Sequence, residues 1–454
     1  MLDVEFIRQN PDQVKEGIAA KNIDPKLVDK FLKLDNDWRV KVVAVDHLRS
    51  EQNTVTAEMK KSKASDVISR AQIIKKQLTS LEKSMAELEK KRWSAWSALP
   101  NLPLPEVIRG KSDKENTTAK EAGNKKEFNF IPKDYLVLSE VLKIIDVKRA
   151  AKVSGSRFGY FFGDAALLEF ALIDFVLKTL LDEKIISAIA KENNLKISAK
   201  PFIPVIPPVL INRESMWGMG YADRGAEEIY SLEKDGLFLV GTSEQSIGAM
   251  HQGETFKEQE LPLRYVGFSS CFRREAGSYG KDTKGILRVH QFDKLEMFSF
   301  VSPENSKNEH KLILGIEEYL MSKLEIPYRV LNICTGDLGD SAAAKYDIEA
   351  WLPGQNNGKG EYRETHSTSN TTDFQARRLN IKYASEVFEN GKKPSPKFVH
   401  MLNGTAFAIG RAIIAIMENY QTVEGFIKIP EVLKPFFGFK LKDGGEYFIR
   451  PPEF

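Results

Sequence analysis

The chain has 454 residues, 42% hydrophobic and 28% charged, which excludes a disordered or collagen-like polypeptide and is enough for a large core and more than one domain. A net charge of +3 is too small to mark a nucleic-acid binder by itself. The only cysteines, Cys271 and Cys334, exclude a disulfide framework and a thiolate metal cluster, so no structural zinc is expected.

The opening MLDVEFIRQNPDQV carries acids early and has no signal-peptide apolar run, and no stretch has the length of a transmembrane helix. The expectation is a soluble cytoplasmic protein without a membrane partner. From Leu27 to about Leu99 the chain is nearly free of Gly and Pro. Phe31, Leu34, Trp38, Val45, Leu48, Val55 and Met59 form one heptad run, and Ile74, Leu78, Leu81, Met85, Leu88 and Leu99 form another. The polar stretch Lys60 to Arg70 between them predicts the turn of an antiparallel helical hairpin. Such a hairpin has too little core to lie within a compact domain along its whole length and is expected to project. Lys41 and Gln52 fall on its seam, where packing is predicted to be imperfect. Between Lys26 and Arg92 there are 16 Lys and Arg against 10 Asp and Glu, a local +6 that suits contact with phosphates, although a solvated helix surface also fits.

PNLPLP ends the hairpin, and GKSDKENTTAKEAGNKKE follows without hydrophobic period. The expected division is a helical domain over residues 1–110, with its coiled coil at about 27–99, a linker over 111–127, and a larger domain over 128–454. In the last, β-like runs such as LFLVGTSE and LRYVGFSSCF, with helices such as LLEFALIDFVLKTLL, predict an antiparallel sheet. Neither Gly-rich nucleotide motif, G-x-G-x-x-G or G-x-x-x-x-G-K-[ST], follows a strand, so a bound nucleotide requires another architecture.

Three polar clusters carry candidate chemistry. In FRREAGSYGKDTKGILRVHQFDKLEMF, a strand bearing Arg273 and Glu275 places both on one face, and Gly277 to Gly285 reads as a hairpin loop. Arginine forks onto phosphate or carboxylate and glutamate accepts from an amino group; a surface hairpin with salt bridges fits equally well. On the returning strand Glu296 shares a face with Phe292, Lys294 and Phe298, where a carboxylate needs a fixed partner or a ligand. In EYRETHSTSNTTDFQARR, Glu364 and Ser367 offer hard oxygen ligands for Mg²⁺; an edge strand rich in hydroxyls is the alternative. His366 there is a possible general base, or a histidine with no catalytic partner. In LNGTAFAIGRAIIAIMENY, a turn at Gly404 opens a helix in which Arg411 interrupts an apolar face, calling for a protein carboxylate or a ligand phosphate.

Together the clusters resemble the three signature motifs of the class II aminoacyl-tRNA synthetases, and in particular the seryl-tRNA synthetase family, over essentially the whole chain. Motif 1 is matched around PVIPPVLI with Pro207 or Pro208, FRREAGSYGKDTKGILRVHQF resembles motif 2, and LNGTAFAIGRAIIAIMENYQ resembles motif 3. DFQARRLNIKY is similar to text specific to that family. The resemblance implies an α+β fold, an antiparallel β-sheet core flanked by helices with an N-terminal coiled-coil arm. It implies ATP as substrate, Mg²⁺, L-serine and tRNA(Ser) as partners, with tRNA(Sec) a second candidate, and a homodimer built through motif 1.

By the same resemblance, Thr242 and Glu244 hold the serine amino group, Ser243 between them belongs to the serine-binding set, and Glu296 with Thr405 receives the serine hydroxyl. Arg273 bridges the α-phosphate and the serine carboxylate. Arg274, Glu275 and Val289 line the ATP site, with Glu275 on adenine. Glu364, Thr365, His366 and Ser367 form a further ATP segment, with Glu364 and Ser367 on Mg²⁺, and Arg411 meets the γ-phosphate. Arg273 and Arg411 are the expected catalytic residues. Thr405 stands where many bacterial members have serine. Thr365 and His366 stand where small or apolar residues are usual, and Thr368 and Thr371 replace common cysteines. The implied reaction forms seryl-adenylate and pyrophosphate, then esterifies the tRNA 3′ end.

Overall fold

Local chemistry starts the first helices: the Asp3 carboxylate accepts from the Phe6 amide at 2.9 Å, and Pro11 sits in the first turn of the next helix, where its missing N–H costs nothing. The computed structural model describes residues 1–61, 64–221, 226–276, 284–387, 394–440 and 445–451. Contacts divide the chain into two units, Met1–Leu102 and Pro103–Phe454.

The first unit holds α1 (Val4–Gln9), α2 (Pro11–Ala20), α3 (Lys26–Lys61) and α4 (Ser65–Ser97). Val45, Val55, Ile74 and Leu78 are buried on the seam between α3 and α4, as the heptads require. The seam position Lys41 is accommodated by donating to Ser84 Oγ at 2.5 Å. The turn is tighter than the expected Lys60 to Arg70, because α3 runs to Lys61 and α4 is already helical at Ser65; Ser62 and Lys63 lie outside the described residues. Near the chain ends of the hairpin, α1 and α2 close a core with Ile7, Val14, Ile18, Val28, Phe31 and Leu99. Asp35 is buried there and accepts from Arg8 at 2.8 Å and Arg92 at 2.7 Å. Burial raises its pKa, but the two guanidinium groups outweigh that and hold it below the usual range.

In the second unit the elements that position the cleft are, in chain order, β1 (Thr117–Ala122), α5 (Asp164–Leu180), β2 (Ile203–Val205), α6 (Glu244–Ala249), β3 (Leu263–Phe272), β4 (Gln291–Val301), α7 (Ser306–Lys323), β5 (Tyr328–Asn332), β6 (Ala344–Leu352), β7 (Glu361–Asn370), β8 (His400–Ala408) and α8 (Ile409–Asn419). The strands form an eight-stranded sheet in the order β1-β5-β6-β7-β8-β4-β3-β2. The pairs are antiparallel except at one edge, where β2 runs parallel to β3, a departure from the purely antiparallel expectation.

Two further expectations are corrected. The segment 111–127 was expected to be a linker, yet Thr117–Ala122 pair along β5. Their side chains are nearly all exposed, so no hydrophobic period marks the strand; it is held by main-chain pairing that satisfies the edge of β5. Gly404 does not turn the chain. It lies inside β8, where a Cβ would overlap Ile313 of α7, so the missing side chain lets that helix lie close on the sheet.

Helices α5, α7 and α8 cover one face, burying Leu172, Ile313 and Ile413 against Leu295, Met297 and Phe407. Arg264 of β3 and Glu309 of α7, both with no exposed side-chain area, lie in this layer. The guanidinium meets both carboxylate oxygens at 2.7 Å and donates to the carbonyls of Ser198 and Lys200 at 2.9 and 2.6 Å, while Ser299 Oγ donates to Glu309 at 2.7 Å. This satisfied pair ties β3, β4, α7 and the segment before β2 together. On the opposite face α6 covers Phe298, Phe300 and Met401, and the rest of that face lines a cleft.

Removing one partner of the Arg264–Glu309 pair strands a buried charge. Glu309→Ala is expected to cost about 3–5 kcal/mol in urea unfolding, and the double change Arg264→Met/Glu309→Leu distinctly less. Equal losses for the two would show that packing, and not the uncompensated charge, sets the cost.

Candidate active site

A cleft of about 870 Å³ opens on the sheet face away from α5, α7 and α8. Strand alternation supplies its floor: Phe292, Lys294 and Glu296 are two apart on β4 and all line it. Neighbouring strands supply the rest through two irregularities. Between β4 and β8 the register passes from Leu295↔Phe407 to Glu296↔Thr405, leaving Ala406 unpaired; between β6 and β7 it passes from Ile348↔His366 to Glu349↔Glu364, leaving Thr365 unpaired. Each bulge lets residues three apart share a face: Thr405 with Ala408, and Glu364 with Ser367.

Glu296 is 1% exposed and holds two partners on one oxygen, with Oε2 at 2.5 Å from Lys294 Nζ and 3.2 Å from Thr405 Oγ1. Glu244, at the start of α6, is buried with its carboxylate accepting from the Tyr221 hydroxyl. Burial first and the charge of Glu296 second push its pKa up to about 7, against opposing pulls from Lys294, Tyr221 and Arg273. Two acids and one lysine thus sit together in the cleft.

Arginines also line the cleft. Arg273 Nε donates to the Gly241 carbonyl at 3.3 Å, and its guanidinium lies 5.3 Å from the ring centre of Phe292. Glu275 pairs with Arg288 at 3.0 Å. Strand β3 ends at Phe272, so Arg273 and Glu275 do not share a strand face as expected. Both still line the cleft: Arg273 follows the strand directly, its amide donating to the His290 carbonyl at 3.0 Å, and Glu275 adopts φ 51°, a left-handed conformation. Residues 277–283, in the expected hairpin loop, lie outside the described residues. Arg411, in the first turn of α8, donates to the Glu364 carbonyl at 2.8 Å and lies 3.5 Å from its carboxylate. Burial raises the Glu364 pKa, but Arg411, Lys345, Arg273 and Lys294 outweigh it, so it stays below its ordinary value and anionic.

Of the expected site residues, Thr242, Glu244, Arg273, Glu275, Val289, Glu296, Glu364, Thr365, Ser367, Thr405 and Arg411 line this cleft, and three do not. Ser243 is turned the other way at the start of α6, fully buried, with Oγ 3.4 Å from the Gly267 carbonyl. Arg274 is exposed and lies 5.9 Å from the Tyr230 ring. His366 faces the helices, 1% exposed, with Nδ1 2.8 Å from Thr365 Oγ1 and its ring 5.3 Å from that of Phe407. Burial pushes its pKa down to about 3, so it is a neutral core residue and not a base.

Sequence reasoning did not mention the lining residues Tyr221 and Lys345, and it placed Phe292 and Lys294 on the face of Glu296 without giving them a role. Lys294 could have been found, because a lysine two residues from a glutamate on a mostly apolar strand face invites pairing. Tyr221 could not, since only folding brings it to Glu244.

Two family models match: the seryl-tRNA synthetase N-terminal domain over residues 1–103, and the class II tRNA synthetase core domain (G, H, P, S and T) over 229–420. A serine–tRNA ligase of Dictyoglomus turgidum is 43% identical over 444 residues, covering 96% of this chain and 98% of that protein. The crystal structure of a seryl-tRNA synthetase from Pyrococcus horikoshii complexed with ATP is similar at a TM-score of 0.85 and 39% identity, with all of each chain covered. A cytoplasmic serine–tRNA ligase from Naegleria fowleri in complex with AMP is similar at 0.82 and 32%, covering 100% of this chain and 99% of that one. A cleft with an acidic, hydroxyl-bearing pocket and lining arginines, in a chain matched from end to end, has one family to answer to: this protein belongs to the seryl-tRNA synthetases.

Proposed function

We propose that the chain activates L-serine with ATP, forming seryl-adenylate and pyrophosphate, and transfers the seryl group to the 3′ end of tRNA(Ser). The observation that carries this is the pocket where Lys294 and Thr405 meet on one oxygen of Glu296 beside Glu244, next to Arg273. A hydroxyl of serine size finds an acceptor in the carboxylate of Glu296 and a partner in Thr405. The α-ammonium finds the Glu244 carboxylate. Arg273 lies where it can fork between the amino-acid carboxylate and the α-phosphate, and Arg411 meets the far end of the triphosphate.

The serine carboxylate attacks the α-phosphorus and pyrophosphate leaves. No side chain must take a proton in that step, so the residues act by holding reactants in line and offsetting phosphate charge. Glu364 and Ser367 fit Mg²⁺, since the bulge at Thr365 brings a carboxylate and a hydroxyl to one face of the cleft; bound there, the ion neutralises phosphate charge. A ribose hydroxyl of the terminal adenosine then displaces AMP from the adenylate. The basic hairpin supplies phosphate contacts to the tRNA. Ile203 and Ile206, exposed at 46% and 86% around motif 1, support a homodimer through that surface.

Serine-dependent ATP–pyrophosphate exchange tests the activation step. Serine should support exchange; alanine, which brings no hydroxyl to Glu296 and Thr405, should be rejected by roughly 10⁴–10⁵. Exchange with alanine as good as with serine, or none with serine, overturns the reading. Because Glu244 carries its charge only above about 7, the KM for serine should rise as pH falls through that value, while the KM for ATP stays level. A serine KM flat from about pH 8 to about pH 6 would count against Glu244 as the ammonium acceptor. Replacing residues 26–92 by a short linker should leave exchange intact and abolish tRNA charging, and the intact enzyme's affinity for tRNA should fall with rising salt.

A further inference from the structure

Within that reading, the carboxylate proposed to hold the serine ammonium has an unusual support. Among the described residues, the hydroxyl of Tyr221, donating to Oε1, is the only hydrogen-bond partner of the Glu244 side chain. Among the described residues no hydrogen bond is made to Oε2, and Glu244 lines the cleft. Four groups face this carboxylate: Glu296 and Lys294 from β4, Arg273 from the segment after β3, and Tyr221 itself. The negative Glu296 pushes it away, and the two cations each have another contact, Lys294 with Glu296 and Arg273 with the Gly241 carbonyl and Phe292.

The phenol is well placed to act as a fixed donor. The helix Arg213–Gly218 ends in a turn in which Gly220 takes φ 91° and the Tyr221 amide donates to the Met216 carbonyl at 3.2 Å. The ring packs between two apolar clusters, one with Met216 and Val240, the other with Met219 and Ile247. Burial and the charge of Glu244 push the phenol pKa well up, so it remains a donor wherever the enzyme works.

We propose that Tyr221 is a positioning residue for the amino-acid substrate: by donating to Oε1 of Glu244 it holds that carboxylate against the repulsion of Glu296 and leaves Oε2 for the α-ammonium of serine. The hydrogen bond acts in two ways. It fixes the rotamer, which sets the geometry for the ammonium. It also favours the charged carboxylate, which sets the pH range over which serine binds.

Tyr221→Phe removes one oxygen and keeps the ring, so the packing of the turn is preserved. By exchange assay its KM for serine should rise about tenfold, as expected for losing one hydrogen bond to a charged group, with the KM for ATP unchanged. The acid limb of kcat/KM for serine should move to higher pH, because the charged form has lost its donor. A purely structural role would lower the melting temperature or kcat and leave the limb in place. A serine KM within twofold of wild type together with an unmoved limb overturns the inference while wild-type exchange leaves the functional reading standing. Absence of serine exchange in the wild-type enzyme overturns both.

Discussion

A β-strand turns successive side chains to opposite faces, and the cleft depends on two places where the central sheet breaks that rule. Ala406 and Thr365 are the extra residues of two bulges on neighbouring strands. Without the second, Glu364 and Ser367, three apart, would lie on opposite faces, and one would be lost under the helices. Without the first, the chain could not present Thr405 opposite Glu296 and still deliver Ala408 and Arg411 to the cleft rim. Glu296, Thr405, Glu364 and Ser367 lie on strands whose register these two residues set.

The opposite face makes such irregularity tolerable. There α5, α7 and α8 bury a continuous apolar layer, and the fully satisfied Arg264–Glu309 pair fixes α7 to β3 and β4. The same strand β4 therefore does two jobs: Leu295 and Met297 anchor it to the helices, while Lys294 and Glu296 enter the cleft. Because the floor is rigid, a carboxylate there can be held charged or near its titration point by a few fixed neighbours. Glu244 and Glu364 show the contrast. Burial raises both, but Glu244 has another acid close by and is pushed up to about 7, whereas Glu364 has four cations and is held down.

The N-terminal unit follows a different economy. A two-helix hairpin exposes most of its surface, so the closure at its base by α1 and α2, with Asp35 between Arg8 and Arg92, supplies the core that the seam lacks.

The sequence by itself determined the helical hairpin, the antiparallel character of most of the sheet and the three polar clusters, because heptads, strand alternation and Gly or Pro punctuation are local and survive without partners. It also determined the family, and it singled out Glu296, Thr405, Arg273 and Arg411, all of which line one cleft. Tertiary structure alone decided the rest. The strand at Thr117–Ala122 has no pattern, since pairing at a sheet edge is made by main chain. His366 looked like a ligand-side residue until the bulge at Thr365 turned it into the core. Ser243 and Arg274, flanked by site residues, are turned away by the start of α6 and by the end of β3. Tyr221 meets Glu244 only through a turn and a helix that no spacing encodes. Neighbours in sequence are fixed by bonds, but which face a side chain takes depends on register, and register is set by the strands and helices packed on either side.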